Sequence, residues 1–234
     1  MVTRDKVRAQ ELLAAAGLHE LADVPVPALS GGQAAHVALV RALAAQPAVL
    51  IVDEPLAAVD VKSAERWRRF LHAVRADRTT LLVTHDALDI AHLAQDMLVM
   101  ESGQVRAHGA TARLFEAPPT GFVAALAGLN RLEGTVTEIG ASAVEVACGD
   151  ITVLAATEHA PLALGQKVAV TFDPHAATIG AAQEPCNQWA ARVLAVEATS
   201  LAAMQLRVDL GGQEATVPVD REFALDVGVG NIVS

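Results

Sequence analysis

The sequence predicts an α/β layered domain followed by a small all-β domain. In the first part, two apolar runs rich in β-branched residues, 48–53 and 79–84, alternate with helical patterns, an order typical of a mostly parallel sheet with helices. From residue 129 onward, short alternating segments replace the helical patterns, as in small barrels. Net charge divides at the same place, with −2 over residues 1–128 and −8 over 129–234. We therefore predict two domains, 1–128 and 129–234.

Helix signals and chain breakers set the elements of the first domain. Ser30 fits a helix N-cap, and Gly17 fits a helix stop. The two apolar runs are continuous, which predicts parallel strands buried on both faces. The solvated face of the third helix is expected to carry Arg66, Arg68 and Arg69. The predicted helices are 3–16, 31–45, 61–76, 86–95, 110–116 and 120–127, and a further strand covers 97–101 with a turn at Ser102-Gly103.

The second domain contains a weak internal repeat. Asn130–Val136 resembles Asn187–Val193, and Gly165–Val168 resembles Gly230–Val233. The first copy continues through a strand after Val168, so the second copy is expected to be cut at its last strand. The predicted strands are Glu133–Ile139, Ala143–Ala147, Ile151–Ala155 and Lys167–Phe172, with no helix among them.

Composition excludes several classes of protein. The chain is 53% hydrophobic and 19% charged, which favours a globular core over disorder. A net charge of −10 argues against a nucleic-acid partner. Cys148 and Cys186 lack metal-type spacing and suggest two thiols rather than a disulfide framework. No apolar stretch reaches the ~18 residues of a membrane span, and the start lacks a secretory h-region. A cytosolic protein is therefore predicted.

The motif Leu-Ser-Gly-Gly-Gln at residues 29–33 predicts an anion-binding helix start. Glycines at 31 and 32 allow close backbone approach, Ser30 can bond a phosphate while capping the helix, and the helix N-terminus adds partial positive charge. The less specific interpretation is an ordinary glycine turn before a helix.

Four further residues complete a candidate site at strand ends. Asp53 ends the first apolar run, where a carboxylate can hold Mg²⁺ through water, and Glu54 can polarise an attacking water. Asp60 precedes a helix, and His85 ends the next apolar run, where it can contact a γ-phosphate. The alternatives are a solvated acid pair, a helix N-cap and a surface histidine.

A phosphate-cradling loop of the form G-x-x-x-x-G-K-[ST] has no counterpart in the chain. The three lysines, Lys6, Lys62 and Lys167, do not stand in that pattern. We therefore expect the chain alone to bind ATP weakly and not to turn it over.

In this order and spacing, the motifs LSGGQ, VLIVDE, LAAVD and VTH resemble the ATPase subunit of ABC transporters. The resemblance implies a partial P-loop NTPase-type fold over residues 1–128 and ATP hydrolysis with Mg²⁺ as cofactor. It makes Leu29, Ser30, Gly31, Gly32 and Gln33 the signature motif. Asp53 becomes the Walker B aspartate, Glu54 the catalytic glutamate, Ala57–Asp60 the D-loop and His85 the switch histidine. The family carries a Walker A loop upstream, so an N-terminally truncated chain is expected.

Residues 130–234 resemble the TOBE/MOP β domain of importer ATPases, and the junction at 122–134 looks most like molybdate importers. The resemblance implies three things about the protein. It is an importer ATPase for molybdate or a related oxyanion, with sulfate, polyamine or sugar import as alternatives. Its partners are a second ATPase subunit, placed head to tail, and transmembrane permease subunits. The protein is cytoplasmic and peripheral to the membrane. A different hypothesis is an oxyanion-binding module on an inactive ATPase remnant, with Ser142, Thr152 and Thr178 as anion contacts.

Overall fold

The computed structural model describes residues 6–57, 59–156, 161–180, 187–200 and 203–234. Residues 3–5 of the first predicted helix, Ala58 of the proposed D-loop, and Cys186 lie outside these ranges. The chain divides into two compact units, one up to Ala112 and one from Arg113 onward. No helix within the described ranges is both long and apolar enough to cross a membrane.

The first unit contains helices α1 to α4 and strands β1 to β4. The predicted helices of this region are all present, with ends shifted by a few residues. The helices are Lys6–Ala15, Gly31–Ala44, Val61–Val74 and Ala87–Leu93, and the strands are Val49–Asp53, Thr79–Val83, Asp96–Glu101 and Gln104–Ala110.

Strands β1 and β2 form a parallel pair, with Ile51 opposite Leu81 and Asp53 opposite Val83. One face of this pair packs on the unit's core, in which Leu50 and Val52 contact α2 and α3. The opposite face is open, because Val49, Ile51, Leu81 and Val83 are 49–67% exposed. The prediction of strands buried on both faces is therefore wrong for the described chain, whose helices cover one face only.

The second strand pair corrects the prediction of a mostly parallel sheet. β3 and β4 pair antiparallel as a separate two-stranded sheet, joined by the predicted turn at Ser102-Gly103. Both turn residues have positive φ, 51° and 74°, as a tight hairpin turn requires. The sequence did not predict β4. Its alternation is intact, but two of its three non-polar positions hold only Ala107 and Gly109, which makes the strand signal weak.

The second unit consists mainly of two four-stranded antiparallel sheets. Their strand orders are β7-β6-β5-β8 and β11-β10-β9-β12. Alternate apolar residues of both sheets form one core. Helix α5 (Thr111–Glu116) spans the boundary between the units, α6 is Gly121–Leu126, and α7 is Arg221–Asp226. The strands are Asn130–Ile139, Ala143–Cys148, Ile151–Ala156, Lys167–Phe172, Ala191–Ala198, Met204–Leu210, Gln213–Val219 and Ile232–Val233. The prediction of a helix-free second part is wrong at α7.

Along the chain the boundary between the two units falls within α5, whereas the sequence predicts a domain boundary at residue 128. The segment of α6 is tied to β5: the guanidinium of Arg131 donates to the carbonyls of Pro118 and Pro119 at 3.2 and 3.3 Å. The amide of Leu129 donates to the carbonyl of Ala124 at 2.9 Å. These bonds hold α6 within the second unit.

The internal repeat is confirmed in the strand register. In the first sheet Gly134 lies opposite Val168, and in the second sheet the repeat-equivalent Ala191 lies opposite Val233. A loop hydrogen bond also recurs in the two copies. The amide of Gly165 donates to the carbonyl of Val136 in β5, and the amide of Gly230 donates to the equivalent carbonyl of Val193 in β9, both at 2.8 Å. The edge strands differ in length, since β8 has six residues and β12 has two.

One asparagine from each repeat forms a pair of hydrogen bonds with the backbone of the third strand of the other repeat. The Asn130 side chain donates to the carbonyl of Thr216 and accepts from its amide, both at 2.8 Å. Asn187 makes the same pair of bonds with Leu154, at 2.9 and 2.7 Å. The two sheets are therefore linked by a reciprocal exchange of polar contacts as well as by a shared core.

Candidate functional site

The Leu29–Gln33 motif forms the start of helix α2. The Ser30 hydroxyl accepts from the Gln33 amide at 3.3 Å, and the Gln33 side chain accepts from the Ser30 amide at 2.9 Å, which makes a complete capping box. The predicted N-cap is confirmed. A cap of this type stabilises a helix by about 1 kcal/mol. The space beside Gly31 is open, so the first turn of the helix is accessible to an approaching anion.

The acid pair lies where β1 ends. Asp53 is the last residue of the strand and is exposed, on the open face of the β1–β2 pair. Glu54 follows with φ 43°, a left-handed backbone that is uncommon for a residue with a side chain. Its amide donates to the carbonyl of Val83 at 2.9 Å, which holds the turn against the end of β2. Non-glycine residues in this region of φ cluster at functional sites.

His85 and Glu54 meet at the carboxyl ends of the two parallel strands. The Nδ1 atom of His85 lies 2.6 Å from Oε1 of Glu54, and the two side chains are 75% and 35% exposed. An ionised carboxylate can only accept, so Nδ1 carries the proton. The hydrogen bond and the negative charge of Glu54 raise the pKa of His85 above its usual value. The sequence placed both residues in the site, and the structure brings them into contact.

A buried ion pair lies behind this contact. Nε of Arg68 donates to the Asp89 carboxylate at 2.6 Å, and their side chains are 11% and 3% exposed. The guanidinium also lies 3.4 Å from Asp86. The prediction that Arg68 belongs to a solvated face is therefore wrong. Arg66 and Arg69 are exposed as predicted.

Asp60 caps helix α3 through its carboxylate, which accepts from the Ser63 amide at 3.1 Å. The Ser63 side chain and amide both favour the ionised form and lower the pKa of Asp60. The capping role is thus present. A role at a nucleotide remains a prediction, and so does the signature role of Leu29–Gln33. Among the described residues, no hydrogen bond or ion pair joins either group to Glu54 or His85.

His36 joins α2 to the loop after Glu54, a link that the sequence did not indicate. Its ring stacks on Trp67 with centroids 4.1 Å apart, and the residue is 9% exposed. Burial lowers the pKa of His36, a hydrogen bond to the backbone of Pro55 opposes this, and Arg66 lowers it further. Histidine here favours its neutral form in the folded state.

His36 is expected to make the first unit less stable in acid. As pH falls below 6.5, the unfolded chain binds a proton that the folded chain resists, so stability falls until pH passes the lowered folded pKa. In His36→Phe, which keeps a ring on Trp67 but does not titrate, the loss of unfolding free energy between pH 7 and pH 5 should be smaller. Urea titrations followed by Trp67 fluorescence in a Trp189→Phe background measure this. An equal loss in both proteins would contradict the assignment.

The three residues named as alternative anion contacts do not converge. Thr178 lines a cavity of about 760 Å³ between the sheets of the second unit, which is also lined by Phe172 and Trp189. Thr152 lines a separate, more open cleft beside Arg192. Ser142 is exposed in the turn between β5 and β6.

Comparison with known proteins agrees with the geometry of the first unit. The family model described as ABC transporter matches residues 3–57, a range that contains the Leu29–Gln33 motif and the Asp53–Glu54 pair. Over this range the first unit is similar to the ABC transporter family.

Relatives of both molybdenum and sulfate import are found. The chain is 42% identical over 135 residues to the molybdenum import ATP-binding protein ModC of Mycobacterium tuberculosis strain CDC 1551 / Oshkosh, covering 57% of this chain and 37% of that protein. It is 36% identical over 222 residues to the sulfate/thiosulfate import ATP-binding protein CysA 1 of Chromobacterium violaceum, covering 91% of this chain and 59% of that protein. The chain thus spans about two fifths to three fifths of the length of these relatives.

A solved metal-chelate type ABC transporter in an inward-facing conformation is also similar, at 22% identity and a TM-score of 0.44. That match covers 56% of this chain and 52% of the other. A likeness at this level adds nothing to the assignment.

Proposed function

We propose that this chain supplies the signature and catalytic-acid part of the ATP-hydrolysing subunit of an ABC importer for molybdate or a related oxyanion. The observation that carries the proposal is the contact between Glu54 and His85. A carboxylate and an imidazole 2.6 Å apart, at the ends of adjacent parallel strands and beside an exposed Asp53, form a site suited to moving a proton from water.

The residues present fit a magnesium nucleotide in part. Asp53 offers the hard oxygen ligand that Mg²⁺ prefers, at a strand end that is open to solvent. It would hold the ion through water, and the ion would neutralise charge on the phosphates. Glu54 would accept a proton from the attacking water. His85, whose Nδ1 donates to that carboxylate, would orient it and present the other edge of its ring to the γ-phosphate.

The open face of β1 and β2 supports a phosphate-binding half outside the described chain. Its exposed apolar side chains lie on the same strand face as Asp53. An apolar surface of this kind, next to a catalytic acid, is typical of a surface that another element covers. We propose that it meets the segment that grips the triphosphate, and that Leu29–Gln33 serves the nucleotide of a second ATPase subunit placed head to tail.

The named relatives support a proposal for the transported substrate, the partners and the location. One is a molybdenum import protein and another a sulfate/thiosulfate import protein. Molybdate and sulfate are both tetrahedral oxyanions, so one kind of site can suit either. We propose a protein peripheral to the cytoplasmic face of the membrane, docked on transmembrane permease subunits. Titrating molybdate and then sulfate into the chain tests the competing hypothesis, since only a binding module requires either anion to bind without a transporter.

The chain by itself is expected to bind ATP with a dissociation constant weaker than about 1 mM, a binding free energy of less than about 4 kcal/mol. The reason is that no described backbone cradle and no P-loop lysine are available to hold the β- and γ-phosphates. Isothermal calorimetry with Mg²⁺-ATP measures this. Joining the chain to a half that carries G-x-x-x-x-G-K-[ST] should bring the affinity into the micromolar range. Micromolar affinity of the unjoined chain would contradict the proposal.

A further inference from the structure

The loop that carries His85 is anchored from behind by helix α3. Arg68, in the middle of that helix, donates to Asp89 at 2.6 Å and lies 3.4 Å from Asp86. Both acids lie at the start of α4: Asp86, directly after His85, is the N-cap and accepts from the amide of Asp89, which lies in the first turn, at 2.9 Å. The guanidinium of Arg68 therefore contacts both the N-cap residue Asp86 and the buried Asp89, close to His85 in the chain.

Thr84 completes the same network from the other side of His85. Its hydroxyl accepts from the Asp86 amide at 3.1 Å and lies 3.4 Å from the Asp89 carboxylate. The backbone of His85 is thus fixed at both of its neighbours, although its own side chain is 75% exposed and has one described partner, Glu54. An exposed side chain with a single partner keeps its place only if its backbone is held.

Burial gives this network its strength. Asp89 is 2% exposed, so its carboxylate requires a partner, and removing one member of a buried pair is strongly destabilising. By contrast, the neighbouring Arg69 pairs with Glu65 at 2.7 Å on the surface, with side chains 75% and 66% exposed. Exposed pairs of this type contribute little. Two adjacent arginines on one helix thus serve as a test residue and its matched control.

We propose that Arg68, through Asp89 and Asp86, is the positioning residue that keeps His85 on Glu54, and so couples the helix that begins at Asp60 to the proposed catalytic pair. The inference deepens the proposed function and rests on it for its relevance to hydrolysis. The contact between His85 and Glu54 lies within this chain. Its dependence on Arg68 can therefore be measured whether or not any ATP is hydrolysed.

The sign of one measurement separates positioning from simple electrostatics. Deleting the positive charge of Arg68 leaves Asp86 and Asp89 less neutralised, and that alone would favour protonated His85 and move its titration to higher pH. If Arg68 instead holds His85 on Glu54, its removal loses the Glu54 hydrogen bond, which is the largest cause of the raised pKa. The titration then moves to lower pH.

The experiment is an NMR titration of the His85 ring in the described chain and in Arg68→Met, Arg69→Met, Glu54→Gln and Arg68→Met/Glu54→Gln. We expect the His85 midpoint in Arg68→Met to fall toward that in Glu54→Gln. In Arg69→Met it should not move. In the double variant it should fall no further than in Glu54→Gln alone, because both changes remove the same contact.

An unchanged or raised midpoint in Arg68→Met would overturn the proposal, and so would an additive fall in the double variant. If Arg68→Met does not fold, Arg68→Gln, which also removes the positive charge but can still donate a hydrogen bond to Asp89, takes its place: a lowered His85 midpoint supports the proposal, and an unchanged or raised one overturns it. Arg68→Met can also be tested in the protein joined to a phosphate-binding half. If that variant lost ATP hydrolysis while its His85 midpoint stayed in place, this inference alone would be wrong, because the proposed function does not require Arg68 to act through His85.

Discussion

Glu54→Gln is expected to lower the rate of ATP hydrolysis at least ~100-fold in a protein that joins this chain to a phosphate-binding half. Glutamine has nearly the same shape and, in the proposed mechanism, cannot accept the proton of the attacking water. It also removes the negative charge that raises the pKa of His85. The left-handed backbone at this position, φ 43°, costs glutamine about as much as glutamate, so the fold should persist.

Steady-state phosphate release at saturating Mg²⁺-ATP measures the effect, with ATP binding checked separately by calorimetry. Glu65→Gln is the control, since Glu65 is an exposed acid on α3 that pairs only with Arg69 in the described structure. Its rate should stay within about twofold, because an exposed ion pair contributes under about 1 kcal/mol. Near-normal turnover in Glu54→Gln would mean that a different residue activates the water.

Gly149→Ala is expected to destabilise the second unit by about 3 kcal/mol or more. Gly149 lies in the two-residue turn between β6 and β7 with φ 61°, a conformation that costs alanine about 1–2 kcal/mol. An added Cβ would also fall on the carbonyl oxygen of Gly211, in the equivalent turn of the second sheet, where backbone rather than a flexible side chain would have to move. Overpacking of this kind adds about 1–3 kcal/mol.

Gly165→Ala is the matched control, because Gly165 also has positive φ, 78°, but open space around its added Cβ. It should lose only the conformational part, about 1–2 kcal/mol. Urea unfolding of the two variants, followed by Trp189 fluorescence in a Trp67→Phe background, isolates the steric part as their difference. Equal losses would show that the two turns separate easily.

Local sequence signals were sufficient for the elements that carry the candidate site. Ser30 begins α2 as its capping motif predicts, and β1 ends at Asp53, where a β-branched run meets two acids. The parallel register then brings the ends of β1 and β2 together, which explains why Glu54 and His85, far apart in sequence, meet. The weak internal repeat of the sequence likewise corresponds to equivalent registers in the two sheets of the second unit.

The contacts behind the site depend on tertiary packing, which local patterns do not encode. Arg68 has the helical spacing of a surface arginine and is half-buried only because α4 lays Asp89 against it. His36 looks like any polar residue after a glycine motif until Trp67 covers it. β1 was predicted to be buried on both faces but is open on one. A continuous apolar run predicts that both faces are covered, but it does not identify the residues that cover them.

The crossed amide pairs of Asn130 and Asn187 have a consequence for how the second unit is made. Neither half can satisfy its third strand from its own residues at these points, since the bonding partner of Leu154 comes from the later half and that of Thr216 from the earlier one. A half expressed alone would expose those main-chain groups together with its side of the shared hydrophobic core. We therefore expect neither half to fold stably until both have been synthesised, and the second unit to unfold in a single cooperative transition.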